Sequence, residues 1–387
     1  MRILNLSRKK SFILIYLSIL WYFYYTMNIA AFSNLEIDDS MNVTLYRIAS
    51  IAPLLLFAIS RTRSSNSFDN IQKYLLIFCI ILAINILISP LYTGANMYYK
   101  VLTLSVYPYI FLLFSYANYH TISYKIWLRL LLFSVIIFGY VYYSIYVQTL
   151  FLYDQSSIWV SVYLVALLPL ILSTDNKLFR YFCLFIILAC VLSNAKRSAF
   201  IAVIGAFIVY NIVYSKVSEN NNIKSFGKVF LFLLLFSIVF FVYCHYTDSV
   251  IIERLLSIKD DGGSGRVDIY DDILNRINQS TFSESIFGHG YLSTMLFASK
   301  GRSAHNDFLE VYFDFGALGL IPYALLHLSL ILKIFGMIKA KISNAPIMAS
   351  SYFIFLVFSS TSIVVFNPIF ALFTIVWGIG LYNNVNN

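Results

Sequence analysis

Apolar residues run through this chain in long blocks, not in strict alternation. About 20 consecutive apolar residues are needed to cross a bilayer. Measured against that length, about twelve blocks qualify as spans: roughly 11–32, 43–60, 74–90, 99–117, 126–147, 157–173, 178–193, 199–214, 228–246, 310–336, 346–366 and 368–384. Between the ninth and tenth, over 247–303, the pattern changes. DSVIIERLLSIKD (248–260) has an apolar stripe broken by Glu253, Arg254 and Lys259, as in a helix lying in the interface. DDGGSG (260–265) reads as a flexible breaker. RVDIYDDILNRI (266–277) spaces Val267, Tyr270, Ile273, Leu274 and Ile277 for a second amphipathic helix, with Arg266 in its first turn. The glycines of FGHG (287–290) predict a turn around His289. In GRSAHNDFLEVYFDFGALGL, Ser303 or Asn306 would cap a further helix with Asp307 in its first turn. His305 then stands at or just before a helix N-terminus, close to the outer membrane surface.

The predicted fold class is therefore all-α, a polytopic integral membrane protein. Nine spans fill 1–246, a large loop of amphipathic helices fills 247–303, and a helix start with the last three spans fills 304–387. Composition agrees: 60% of residues are hydrophobic and 12% charged, against about half and about a quarter in soluble domains. A bilayer solvates such a surface and water does not.

Charge sets the orientation. With the N-terminus cytoplasmic, basic residues recur on the inward side: Arg2, Arg8, Lys9 and Lys10, then Arg61, Arg63 and Lys73, then Lys125 and Arg129. Lys177 and Arg180 follow, then Lys216, Lys224 and Lys228, and last Lys333, Lys339 and Lys341. Together these are seventeen of the 27 basic residues. This is the positive-inside pattern, with both termini cytoplasmic and the loop outside. The net charge of +9 thus points to anionic membrane lipids and not to nucleic acid. The first span, behind its basic cluster, reads as a retained anchor. Lys196 and Arg197 break the pattern by lying outside. They are either cations snorkelling to the headgroups or an anion site. Arg47 raises the same question, with snorkelling favoured.

Other polar residues weigh less. Asp268, Asp271 and Asp272 lie at the spacing of a solvated helix face, and no metal is expected there. His289 reads as a turn residue, and packing accounts for His120, His245 and His327. Cys79, Cys183, Cys190 and Cys244 sit inside apolar runs without metal or redox spacing.

The order KRSAFIA, GRVDIYDDIL, FGHG and SAHNDFLEVYFDFGALGL resembles the O-antigen polymerase and O-antigen ligase superfamily over about residues 190–340. His305, Asn306, Leu309, Gly316 and Gly319 fall in the expected register. The resemblance implies a helical, GT-C-like membrane glycosyltransferase, inverting and metal-independent, with no cofactor. Its donor would be an undecaprenyl-pyrophosphate-linked oligosaccharide at the outer leaflet of the bacterial inner membrane, with the large loop periplasmic. It assigns His305 as general base, with Arg197 and Arg266 neutralising the pyrophosphate. Arg254, Arg302 and Asn306 would also bind pyrophosphate or glycan. The chemistry is coherent, because a pyrophosphate already leaves well and arginine forks hold its charge without a metal ion. A sugar hydroxyl needs partial deprotonation, for which histidine is suited near neutral pH. Tyr107, Tyr109 and Tyr153 would stack on sugars or form an interfacial belt.

Two acceptors fit the resemblance. A polymerase extends another lipid-linked repeat unit, whereas a ligase transfers to the lipid A core. The acids Asp307, Glu310 and Asp314 look more like the polymerases. A flippase for the same lipid-linked oligosaccharide is the rival from another class, for which internal repeats, broken helices and midplane charges would speak. Expected protein partners are a chain-length regulator and a flippase.

Overall fold

The computed structural model describes residues 8–32, 41–59, 69–89, 94–119, 122–151, 160–194, 197–218, 238, 242, 262–297 and 301–382. Helices and turns account for all of them, with no strand among the described residues. Five helices are long and apolar enough to cross a membrane: Asn70–Ile88, Met97–Ala117, Tyr124–Val147, Arg197–Val217 and Asp307–Lys339. Shorter apolar helices follow Val160–Leu172, Ala345–Thr361 and Ile369–Leu381. This is the architecture of a polytopic membrane protein. The expected ninth span (228–246) and the interfacial helix (248–260) lie outside the described residues, apart from helical positions 238 and 242.

Its surface is that of a bilayer protein. Ile84, Ile201, Ile321 and Phe335 project outward from the long helices, as do Leu178 and Phe185 from the helix Lys177–Asn194, where lipid is the natural partner. Inside, aromatic rings lock the helices together. Phe12 of Arg8–Phe32 stacks on Phe114 at 4.9 Å, Tyr22 meets Tyr107 edge-on at 5.0 Å, and Phe23 meets Tyr163 at 5.7 Å. Tyr107 is fully buried and stacks on Phe111 at 4.7 Å. It is a core residue, and the idea of a sugar-stacking Tyr107 is corrected. Where Ile369–Leu381 crosses Tyr107–Asn118, Gly378 lies so close that a Cβ would stand 2.6 Å from the Leu112 carbonyl oxygen. Small residues let helices meet this closely in membranes.

Two expected spans are interrupted. The helix through 94–118 contains a π-helical turn over Val101–Val106. The block at 157–173 forms two short helices, Val160–Ala166 and Leu168–Leu172, with Pro169 in the first turn of the second. Proline restricts the residue before it and cannot continue the backbone ladder. Every residue from Val160 to Leu172 is buried, so protein surrounds the break and satisfies its backbone. Broken helices, one of the features expected of a transporter, are thus present.

Candidate functional site

The described residues from 262 to 306 are organised by the start of the helix Asp307–Lys339. Asn306 is its N-cap, accepting from the N–H groups of Phe308 at 3.0 Å and Leu309 at 3.3 Å. Just before it, His305 takes φ = +52°. Left-handed backbone is uncommon outside glycine, with Asn, Asp and His among the residues that tolerate it. The turn therefore presents a partly exposed imidazole ahead of a helix N-terminus.

The helix breaks at Gly316, where φ is +61° and ψ −159°, a combination that only glycine adopts without strain. The break leaves carbonyls without helical donors, and the FGHG turn supplies them. The His289 N–H donates to the Phe313 carbonyl and the Gly290 N–H to the Asp314 carbonyl, each at 2.9 Å. Gly288 and Gly316 interlock at this contact. A Cβ on Gly288 would lie 2.2 Å from the Asp314 oxygen, and one on Gly316 2.4 Å from the Ile286 carbonyl. The two glycines of the turn and the glycine of the helix thus serve one joint. The His289 ring stacks on Phe313 at 4.4 Å and bonds Ser280 Oγ at 3.0 Å. Its role as a turn residue now has a structural reason. The preceding helix Phe282–Phe287 starts with a capping box between Thr281 and Glu284, which holds the Glu284 carboxyl below its usual range through the Thr281 donors.

Three carboxyls on Asp307–Lys339 are fully buried: Asp307, Glu310 and Asp314. Each binds neighbouring segments, with Thr294 shared by Glu310 and Asp314. Asp307 accepts from the Val364 N–H at 2.8 Å and the Tyr323 hydroxyl at 3.3 Å. Glu310 accepts from the backbone N–H groups of Ala304 and His305 and from the Thr294 hydroxyl. Asp314 accepts from Leu292 N–H at 2.8 Å, Ser293 Oγ at 2.7 Å and Thr294 N–H at 3.3 Å, capping the short helix Ser293–Phe297. The sequence did hold a signal for them. Positions i, i+3 and i+7 share one helix face, and three acids on one face of a helix entering a membrane are costly unless bonded.

The second amphipathic helix begins earlier than expected, at Gly262, and runs to Gln279. The expected breaker is in part its first turn, and Arg266 stands one turn further in than predicted. Its buried stripe also differs. Ile269 and Ile273 pack with Ala304 and Phe313, flanked by Tyr270, Ile277 and Leu309, while Val267 and Leu274 are exposed. Arg266 lies three residues before Ile269 and seven before Ile273, on that same face. By helical spacing Arg266 thus shares a face with the two isoleucines that pack with Ala304 and Phe313.

The remaining candidates separate. Arg197 is partly exposed at the first turn of Arg197–Val217, a helix packed mainly along Ala345–Thr361. Arg302 is exposed in the turn before Ser303. Arg254 lies outside the described residues, as do the side chains of Lys196 and Arg47 and all of Tyr153. Asp268 and Asp271 are exposed and Asp272 partly so. Among the described residues, no group of three His, Cys, Asp or Glu side chains is placed to hold a metal ion.

A protein-family model described as O-antigen ligase matches residues 181–324. That stretch takes in Arg197, the helix bearing Arg266, the FGHG turn, His305 and the break at Gly316. The resemblance read from the sequence is borne out there. No curated protein matches the chain.

Proposed function

From the match of residues 181–324 to a family model described as O-antigen ligase and the resemblance of the sequence motifs to the polymerases, we propose that this membrane protein is a surface-polysaccharide polymerase of the O-antigen type. It transfers a growing glycan from undecaprenyl pyrophosphate to a hydroxyl of a lipid-linked repeat unit. The reaction takes place at the outer leaflet of the bacterial inner membrane, with both termini cytoplasmic. The observation that carries the reading is the joint of two loop elements. His305 stands in a left-handed turn ahead of a capped helix, and the helix bearing Arg266 packs its buried face on the neighbouring Ala304.

On this reading His305 takes the proton from the acceptor hydroxyl as that oxygen attacks the anomeric carbon. The bond from that carbon to the pyrophosphate oxygen breaks, and one displacement inverts the configuration. Arg266 and Arg197 take up the charge growing on the leaving pyrophosphate, with Arg254 and Arg302 as further cations. Asn306 fixes the turn and lies within reach of the glycan. The acid pair of glycosidases is not needed, because the leaving group requires no strong acid. No metal or other cofactor enters the scheme.

The acceptor separates the two superfamily activities. Deleting a polymerase should leave lipopolysaccharide with a single repeat unit. Deleting a ligase should leave bare core with long polymer still on the lipid carrier, and loss of a flippase should strand single units on the inner leaflet. Long polymer persisting on the carrier in the deletion strain would overturn the polymerase reading in favour of the ligase.

A further inference from the structure

Glu310 has no part in the scheme above, yet its carboxyl ties the His305 turn to Thr294. One side chain gathers the N–H groups of Ala304 and His305 and the hydroxyl of Thr294. Two of these donors belong to the backbone of the left-handed turn. Such a conformation persists only where its surroundings over-determine it, and three donors converging on one buried carboxyl supply that. The third donor, Thr294, also gives its N–H to Asp314, which caps the segment behind the FGHG turn. Glu310 is fully buried, so it does not itself meet a glycan. Two of its bonds run to backbone atoms of the turn and the third to the Thr294 hydroxyl, so what it controls is where the turn, and with it the ring, is held.

We propose that Glu310 is the positioning residue for His305, clamping the turn so that the imidazole meets the acceptor hydroxyl in one fixed place. The inference rests on the proposed role of His305 and adds a residue to it. Asp307, on the same helix face, binds Val364 instead, and Asp314 binds Leu292–Thr294.

The test uses the full-length protein in lipid nanodiscs, with Glu310→Ala, Glu310→Gln, Thr294→Val and His305→Ala compared in one transfer assay. Backbone hydrogen exchange over 301–309 is followed in parallel. Glu310→Ala should speed exchange at Ala304 and His305 roughly tenfold or more, through loss of their acceptor. It should lower kcat about 100-fold, as a misplaced reacting group does, with KM for the lipid-linked donor within about threefold of the parent. Glu310→Gln keeps an acceptor oxygen and should retain at least about a tenth of kcat. Thr294→Val removes one donor and should fall between. Unchanged exchange at Ala304 and His305 in Glu310→Ala overturns the proposal. So does faster exchange with kcat preserved, or a loss confined to KM. If Glu310→Ala fails to insert, Glu310→Gln and Thr294→Val carry the test, and parent-like exchange in both overturns it. An active His305→Ala would instead overturn the role of His305, whatever the Glu310 variants do to exchange.

Discussion

Replacing Gly316 with alanine attacks the joint on which the loop is built. The residue holds φ = +61° and ψ = −159°, where a side chain costs about 1–3 kcal/mol. The new Cβ would also stand 2.4 Å from the Ile286 carbonyl carbon and oxygen and 2.7 Å from the Gly288 nitrogen. Those are backbone atoms that cannot swing aside, so overpacking adds about 1–3 kcal/mol. Against this, the docked FGHG turn gains two backbone hydrogen bonds, from His289 and Gly290, worth about 1 kcal/mol each. The penalty therefore matches or exceeds what those two bonds contribute, and the turn should lift off the helix. Hydrogen exchange over 286–292 should show lost protection, and limited proteolysis should cut within 280–301 where the parent resists. Gly336→Ala is the control. It lies on the same helix with no atom within 4 Å of its Cβ, and alanine is the better helix former by roughly 1 kcal/mol. Parent-like protection in Gly316→Ala, or equal behaviour of the two variants, would refute the account of the joint.

Other expected outcomes concern the site and its supports. Asp307→Ala should destabilise the protein by about 1–3 kcal/mol or more, through buried donors left unpaired at Val364 and its neighbours, read as a lower melting temperature in detergent. Lys333→Ala should shift melting by less than about 1 kcal/mol, because its bond to Asp69 at 2.7 Å joins two partly exposed side chains. Arg266→Ala should abolish chain extension while membrane insertion, followed by fractionation, stays normal. Chelation by EDTA should leave transfer unchanged; inhibition relieved by a divalent ion would bring metal chemistry into the scheme.

The membrane character of the chain and most helix positions were legible, because blocks such as 74–88 and 315–332 are almost wholly apolar. Asn306 as N-cap and the turn around His289 were legible as well, since capping and glycine turns are local signals. The breaks at Val101–Val106 and Leu167 were not. They lie in apolar stretches, and Pro169 alone does not tell where a buried helix will part. The stripe on Gly262–Gln279 was misread because Val267 and Leu274 fit a helical period as well as Ile269 does. Only the docking of that helix on Ala304 and Phe313 decides between them. Glu310 stayed hidden for a related reason: its partners, Thr294 and the backbone of 304–305, come from segments whose meeting depends on the break at Gly316.

Transfer by the purified, reconstituted protein tests the central claim most directly, with an undecaprenyl-pyrophosphate-linked repeat unit as the only substrate and EDTA present. Products are resolved by chain length for the parent and for His305→Ala. The account predicts a ladder of extended glycans on the lipid carrier from the parent, with inverted anomeric linkages, and none from His305→Ala. A parent that leaves the repeat unit unextended, or a His305→Ala protein that builds the same ladder, would contradict it.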